Sequence, residues 1–241
     1  MKELSKIASQ VQASSTMAID SLAKQMKADG IDVVGFGAGE PDFNTPDEIK
    51  AAGIRAIEEN NTRYTPASGL PGIKKAVCER VKADFHVEYE PSQVMVAAGA
   101  KHCVYVALRA LVNPGDEVIV PAPYWVSYIE LVRMMGGVPV VVTAEESAGF
   151  KITAQQLRDA ITPKTKAMIL NNPSNPTGMV YNGEELKALV DVCVENDLYI
   201  IADEIYSCLL YDGLKFTSVA SLGEEVKKRT ILINGVSKAY A

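Results

Sequence analysis

Regular alternation of short apolar segments with helical segments is the feature that most constrains how this sequence can fold. The apolar segments lie at residues 94–97, 117–120, 138–142, 167–170, 198–202 and 231–233, and helical patterns lie at 101–112, 125–135, 154–161 and 184–195. Strands that are apolar on both faces and alternate with helices form a mostly parallel sheet, with helices covering both faces. The sequence therefore predicts an α/β fold.

The region before this alternation has a different pattern. Residues 1–44 contain a polar arm, a helical pattern over 18–28 and a short apolar strand over 33–36. We expect residues 1–44 to form an N-terminal arm and part of a small domain, and residues 45–241 to form one large domain.

Three helix starts carry a capping box, in which a small polar residue and a Glu or Gln three positions later satisfy each other's backbone N–H groups. Thr45 would cap a helix that runs to about Asn60, with Pro46 in its first turn and Glu48 completing the box. The other two boxes pair Thr153 with Gln156 and Asn182 with Glu185.

Composition excludes several classes of protein. Thirty acidic and 24 basic residues give a formal charge of −6, and the two signs are interspersed, so the basic surface of a nucleic-acid-binding protein is not expected. The four cysteines form no C-x-x-C pair, which favours a reducing compartment. No apolar run approaches the roughly 18 residues of a membrane span. We expect a cytoplasmic enzyme that does not bind membranes.

Common nucleotide and metal motifs do not fit this sequence. Gly37 and Gly39 are followed by Asp42 where the third glycine of a dinucleotide-binding fingerprint would stand. Walker, zinc-finger and H-E-x-x-H spacings are not found, so we expect no metal site.

Ligands of parallel sheets bind beyond the carboxyl ends of the strands, so the residues that follow each predicted strand are candidates for a site. Gly99, Ala100 and Lys101 follow the segment 94–97 and begin a helix. Small residues at such a turn let backbone amides approach a phosphate, although they can equally serve a tight turn alone.

Three further strand ends carry polar residues. Asn175 lies in the turn-rich segment after 167–170, Asp203 follows the strand 198–202, and Lys238 follows 231–233. A carboxylate buried at a strand end requires a compensating partner, and a protonated ring nitrogen is a more specific partner than the helix terminus that Asp203 could merely cap. A lysine beside it is a candidate for Schiff-base formation.

These segments together resemble one known family. The sequences PSNPTG at 173–178, DEIY at 203–206 and SK at 237–238 are similar, in order and approximate spacing, to those of the class I aminotransferases. These are fold-type I enzymes that use pyridoxal phosphate, and the closest resemblance is to the aspartate aminotransferase group. GEPDF at 39–43, RY at 63–64 and PYW at 123–125 extend the resemblance over nearly the whole chain.

The resemblance implies transamination between an amino acid, aspartate or a similar one, and a 2-oxo acid such as 2-oxoglutarate. Lys238 would carry pyridoxal phosphate and then transfer protons as base and acid. Asp203 would pair with the protonated pyridine nitrogen. Tyr206 and Asn175 would hydrogen-bond the phenolic oxygen of the ring, and Trp125 would stack on its face.

The resemblance also implies contacts outside the ring. The backbone amides of Gly99, Ala100 and Lys101 would bind the cofactor phosphate, and Gly39, Trp125 and Asn175 would contact the substrate, Gly39 through its N–H. Arg109 would bind a distal carboxylate of the substrate. Tyr64 would reach the phosphate of a neighbouring subunit, which implies a homodimer with shared active sites. The Asn175–Pro176 peptide bond is expected to be cis.

The sequence departs from the family pattern near Lys238. The family's lysine motif continues to an arginine that binds the phosphate, and a C-terminal small domain supplies a second arginine for the substrate carboxylate. The 241 residues contain neither. We therefore expect an incomplete large domain without the C-terminal small domain, and little activity from this chain alone. Two alternatives are a C–S β-lyase of the same fold and a non-catalytic module, such as a dimerising fragment.

Overall fold

Five parallel strands form the sheet at the centre of the computed structural model, which describes residues 2–12, 15–37 and 39–241. The strands are β1 (Glu117–Ala122), β2 (Val138–Thr143), β3 (Thr165–Asn171), β4 (Tyr199–Asp203) and β5 (Thr230–Ile233), in the spatial order β2-β1-β3-β4-β5. Asn171 lies opposite Asp203, and Asp203 lies opposite Ile233. The register therefore brings the carboxyl ends of β3, β4 and β5 to the same level. We refer to this end of the sheet, where the strands finish, as its carboxyl edge.

Helices connect and flank the strands. They are α1 (Lys6–Gln10), α2 (Ser15–Ala28), α3 (Asp47–Glu58), α4 (Pro71–Phe85), α5 (Ala100–Leu111), α6 (Ser127–Met134), α7 (Ala154–Ala160), α8 (Gly183–Glu195), α9 (Glu224–Arg229) and α10 (Val236–Ala239). Within the described ranges, no helix combines the length and the apolar character that crossing a bilayer requires.

The core lies on both faces of the sheet because successive strand residues point to opposite sides. On one face, Ile200 and Ala202 of β4 pack in a cluster that includes Leu186 and Leu189 of α8. On the other face, Ile201 belongs to a cluster built from the buried residues of α5 and α6. A parallel sheet with helices on both faces confirms the predicted fold class.

Two predicted strands do not form. Residues 33–36 and 94–97 have no strand conformation, although both are rich in apolar residues. A strand requires a ladder of backbone hydrogen bonds to a neighbour. The N–H of Val96 instead donates to the carbonyl of Ser68, 3.0 Å away, within a turn region. Local apolar pattern was therefore misleading at these two positions, where pairing decides the structure.

Capping was predicted correctly at two of three helices. Both capping boxes at the starts of α7 and α8 are present, with side-chain and backbone bonds in both directions. The box predicted at Thr45 is wrong, because α3 begins at Asp47 with Pro46 in the cap position and no side-chain cap bond. The hydroxyl of Thr45 donates instead to the carbonyl of Ala241, a contact between distant parts of the chain.

Candidate active site

The loops after β3 and β4 are tied together at the carboxyl edge of the sheet. The side-chain amide of Asn171, the last residue of β3, donates to the carbonyl of Asp203 at 2.8 Å. Its side-chain oxygen accepts from the N–H of Asn175 at 2.7 Å. The Asn175–Pro176 bond is cis, as expected from the family resemblance. Asn171 therefore fixes Asn175 relative to the end of β4, a role that the sequence analysis did not identify.

Asp203 is buried at the end of β4 and is held by uncharged donors. Its Oδ2 accepts from the hydroxyl of Tyr128 at 2.7 Å, and its Oδ1 accepts from the N–H of Ile205 at 3.3 Å. Burial raises the pKa of Asp203, whereas these two hydrogen bonds act to lower it. No ion pair among the described residues includes Asp203. A carboxylate in this environment is stabilised by a cationic atom of a ligand.

Tyr128 is a site residue that the sequence analysis missed. It lies in α6, only 2% exposed, and its position in a helical apolar pattern resembles that of an ordinary core residue. Burial, followed by the charge and hydrogen bond of Asp203, raises its pKa well above the usual value, so the hydroxyl keeps its proton and acts as a donor. Its position three residues after Trp125 was the available signal, because that spacing places both side chains on one side of a turn.

Trp125 is connected to Asp203 through Tyr128. The two rings meet edge to face, with centroids 5.3 Å apart and planes at 87°. The Nζ of Lys101 lies 4.9 Å from the centroid of the Trp125 ring. Trp125 is half-buried, in agreement with a ring that packs on its edge and keeps part of its face accessible.

Tyr206 and Asn175 also meet at this edge. The side-chain amide of Asn175 donates to the hydroxyl of Tyr206 at 3.3 Å. Burial raises the pKa of Tyr206, the bond from Asn175 lowers it, and the charge of Asp203 raises it further. A small cavity lies at the ends of β1 and β3, and its lining includes Asn175 together with Tyr124 and Tyr128.

Lys238 lies on the same side, after β5. Its Nζ is 5.9 Å from the centroid of the Tyr206 ring, and it donates to the carbonyl of Gly39. The structure therefore brings an amine, a phenol and the Gly39 backbone together. Lys238 is only partly buried.

The amino-terminal end of α5 is the remaining part of the site. Gly99 occupies the cap position with φ of 84°, a conformation that favours glycine. The N–H groups of Ala100 and Lys101 belong to the first turn of α5, where no preceding helical carbonyl is available to them. Such a turn binds anions because its N–H groups and the helix dipole both favour negative charge.

Two predicted site residues lie away from this group. Arg109 is exposed in the last turn of α5, nine residues after Ala100, which corresponds to about 13.5 Å of helix rise. Tyr64 is fully exposed in the segment between α3 and α4. Their contacts with substrate and with a second subunit remain predictions.

The fold and the site together define an α/β domain in which a buried carboxylate, a lysine amine and a helix terminus suited to anions share one edge of a parallel sheet. The chain belongs to the aminotransferase class I and II family, whose sequence model matches residues 31–241. This confirms the resemblance seen in the sequence motifs.

Individual relatives are similar over the whole chain. The aspartate aminotransferase of Bacillus sp. (strain YM-2) is 52% identical over 244 residues, which cover 100% of this chain and 62% of that protein. The aspartate aminotransferase of Geobacillus stearothermophilus is 51% identical, over 99% of this chain and 61% of its own length. The chain thus spans about three fifths of these curated relatives.

Solved structures agree with this assignment. The aspartate aminotransferase from Thermus thermophilus with maleate has a TM-score of 0.96 and 40% identity, covering 100% of this chain and 62% of that one. The enzyme from Rhizobium meliloti has a TM-score of 0.95 and 39% identity, covering 100% of this chain and 60% of that one. At these identities, the likeness supports the family as well as the fold.

Proposed function

We propose that the protein containing this chain catalyses pyridoxal-phosphate-dependent transamination between an amino acid, aspartate or a similar one, and a 2-oxo acid such as 2-oxoglutarate. The observation that carries this proposal is the position of Asp203, which is buried at the end of β4 and whose carboxylate accepts bonds, among the described residues, from the uncharged donors Tyr128 and Ile205. The next strand, β5, leads to Lys238 at the same edge. Relatives over the whole chain are aspartate aminotransferases.

The residues present fit the cofactor. Asp203 offers a buried carboxylate to a protonated pyridine nitrogen, and Tyr206 offers a hydroxyl, already supported by Asn175, to the phenolic oxygen. The amino-terminal turn of α5 suits the phosphate. The space beside Gly99 is open, since a Cβ built at this position would meet no heavy atom within 4 Å. Trp125 offers a ring face.

Pyridoxal phosphate, when bound, supplies an aldehyde that condenses with amines and a ring that accepts electron density from the substrate. In its ionised form, Asp203 keeps a proton on the pyridine nitrogen, because a buried negative charge favours the protonated base beside it. Tyr206 remains an uncharged donor at neutral pH, since burial raises its pKa. Lys238 would hold the cofactor through its amine and would move a proton at its Nζ.

Substrate and subunit contacts are part of the same proposal. The backbone N–H of Gly39 would bind the substrate carboxylate, and Lys238 already contacts the Gly39 carbonyl. Arg109 would bind a distal carboxylate, and Tyr64, exposed in one chain, would reach the phosphate site of a second subunit of a cytoplasmic homodimer. Residues 1–44 would belong to the arm and small domain, and 45–241 to the cofactor-binding domain.

Lys238→Ala tests the proposal in the intact protein. We expect the native protein to bind pyridoxal phosphate with an absorbance band that the variant lacks, and to convert aspartate and 2-oxoglutarate to oxaloacetate and glutamate. Lys228→Ala, at an exposed basic position in α9, is the matched control and should retain both properties. A Lys238→Ala variant with full turnover would contradict the assignment, and release of pyruvate from cystathionine without amino transfer would favour the β-lyase.

A further inference from the structure

Glu204 is the residue directly after Asp203, and it is completely buried. The two carboxylates face opposite sides of the sheet. Asp203 bonds to Tyr128 in the cluster formed with α5 and α6, whereas Glu204 bonds to Val219, which belongs to the cluster formed with α8. The contacts described for the active site do not use Glu204, so its burial requires a separate explanation.

Glu204 connects three segments of the chain. Its Oε1 accepts from the N–H of Val219 at 2.7 Å, fifteen residues away in sequence. Its own N–H donates to the carbonyl of Ile233 at 2.9 Å, and its carbonyl accepts from the N–H of Ser207 at 3.0 Å. These bonds tie the DEIY segment (residues 203–206), which carries Asp203 and Tyr206, to the end of β5 and to the short 3-10 helix Val219–Ser221.

Three buried polar atoms near this carboxyl group have no hydrogen-bond partner among the described residues. They are Oε2 of Glu204, the hydroxyl of Ser218 and the hydroxyl of Tyr89. Ser218 precedes Val219, whose N–H binds Oε1 of Glu204, and Ser218 acts to lower the pKa of Glu204. Burial, followed by the charge of Glu204, raises the pKa of Tyr89 to about 12. A proton on Oε2 would convert this atom into a donor, for which either hydroxyl oxygen is an acceptor.

Surrounding groups favour the uncharged form of the carboxyl group. Burial raises the pKa of Glu204 to about 8, the bond from Val219 and the nearby Ser218 hydroxyl lower it, and the charge of Asp203 raises it. Among the described residues, the other titratable groups that act at this position are Asp203, through its charge, and Tyr89. Lys227 lies beside Tyr89, with its Nζ 5.4 Å from the Tyr89 ring centroid. A second negative charge one residue from Asp203 is unfavourable in a buried environment.

We propose that Glu204 is a positioning residue that fixes the DEIY segment as an uncharged carboxylic acid and leaves the negative charge at this end of β4 to Asp203 alone. The proposal rests on the proposed function for the roles of Asp203 and Tyr206. The structural part, a buried neutral acid bonded to Val219, does not depend on catalysis and can be tested without it.

Glu204→Gln gives the sharpest test, because glutamine keeps an acceptor for Val219 and a donor for Ser218 or Tyr89 but cannot ionise. Denaturant unfolding of the intact, cofactor-free protein is measured from pH 5 to pH 8 for the native protein and the variant. A carboxyl group with a folded pKa above its unfolded value stabilises fully below pH 4.5, and this stability is lost as pH rises through about 8. The native protein should therefore lose stability relative to the variant, by up to about tenfold in the unfolding constant per pH unit.

The comparison isolates Glu204 because Asp203, Tyr89 and Lys227 are the same in both proteins. Identical pH dependence in the two proteins would overturn the proposal, since it would mean that Glu204 ionises normally in the folded state. This result would leave the transaminase assignment untouched. Conversely, absence of transamination would remove the proposed function, while the unfolding data would still decide the state of Glu204.

The positioning role of Glu204 also requires a test that measures catalysis. Glu204→Leu removes the bond to Val219, and we expect kcat to fall at least about tenfold, whereas Glu204→Gln should stay within about threefold of the native value. Leu157→Ala, a buried truncation in α7, is a control that lowers stability without changing kcat. Equal loss of kcat in the Gln and Leu variants would contradict the positioning role. If the Leu variant does not fold, the pH comparison with the Gln variant decides alone.

Discussion

Replacing Tyr128 by phenylalanine removes one buried oxygen and leaves the aromatic ring in place against Trp125. The lost hydroxyl donates to Oδ2 of Asp203 at 2.7 Å, whereas the other bond of this carboxylate, from Ile205, is longer at 3.3 Å. The substitution therefore removes the shorter of the two bonds that oppose the effect of burial on Asp203. The T-shaped ring contact with Trp125 should be preserved.

The size of the effect follows from the charge on the acceptor. A hydrogen bond to a charged group contributes about 1.5–3 kcal/mol, and one pKa unit corresponds to about 1.4 kcal/mol. Loss of the bond from Tyr128 should raise the pKa of Asp203 by about one to two units, because the bond stabilises only the ionised carboxylate.

The appropriate measurement is kcat/KM as a function of pH, on the acid side of the profile. In the proposed function, Asp203 must be ionised to hold a proton on the pyridine nitrogen, so activity should fall as pH decreases through the pKa of Asp203. In Tyr128→Phe the acid limb of kcat/KM should move to higher pH by about one to two units, and the fall in activity at low pH should be about tenfold or more. Affinity for pyridoxal phosphate should weaken in the same pH range.

Tyr181→Phe is a matched control, because it also removes a buried tyrosine hydroxyl, one that accepts from the N–H of Ile152 at 2.9 Å. It should lower stability but leave the acid limb in place. An unchanged acid limb in Tyr128→Phe would refute the reasoning, since it would show that the hydroxyl does not determine the charge state of Asp203.

Two further predictions concern the phenol and the helix terminus. Asn175→Ala and Tyr206→Phe should each lower kcat/KM. Because both substitutions remove the same hydrogen bond, the free-energy change of the double variant should be smaller than the sum of the two single changes by about 0.5–1.5 kcal/mol. Full additivity would show that the bond does not contribute. Gly99→Ala should weaken binding of pyridoxal phosphate severalfold and cost about 1–2 kcal/mol in the unfolding free energy, because φ of 84° is unfavourable for alanine; unchanged affinity and stability, measured by titration and denaturant unfolding, would contradict this.

Much of the fold was predictable because it depends on local pattern. The strands β1 to β5 coincide with apolar segments, of which β1, β3 and β4 are buried on both faces, and the caps of α7 and α8 depend on residues only three positions apart. Residues 33–36 and 94–97 were wrongly predicted as strands, because a ladder needs a neighbour that local pattern does not reveal. The contact of Thr45 with Ala241 was equally invisible in sequence.

The grouping of residues at the candidate site could be predicted where a polar residue interrupts an apolar pattern. Asp203 and Lys238 stand out after buried strands, and the motifs around them resemble one family. Tyr128 and Glu204 were missed for physical reasons. A tyrosine in an apolar helical pattern resembles core, and its hydroxyl partner depends on tertiary packing. The second acid after a strand cannot be assigned to a face until the partner, Val219, is known.

The contacts at the active-site edge differ greatly in the length of chain that they close. Asn171 and Asp203 are 32 residues apart, whereas Lys238 and Gly39 are 199 residues apart. Loop-closure entropy makes the longer connection more costly by about 1.6 kcal/mol. We therefore expect the strand ends to assemble before the Gly39 segment joins them. We also expect local opening of that segment to release the Lys238 amine from its carbonyl partner while the sheet stays folded.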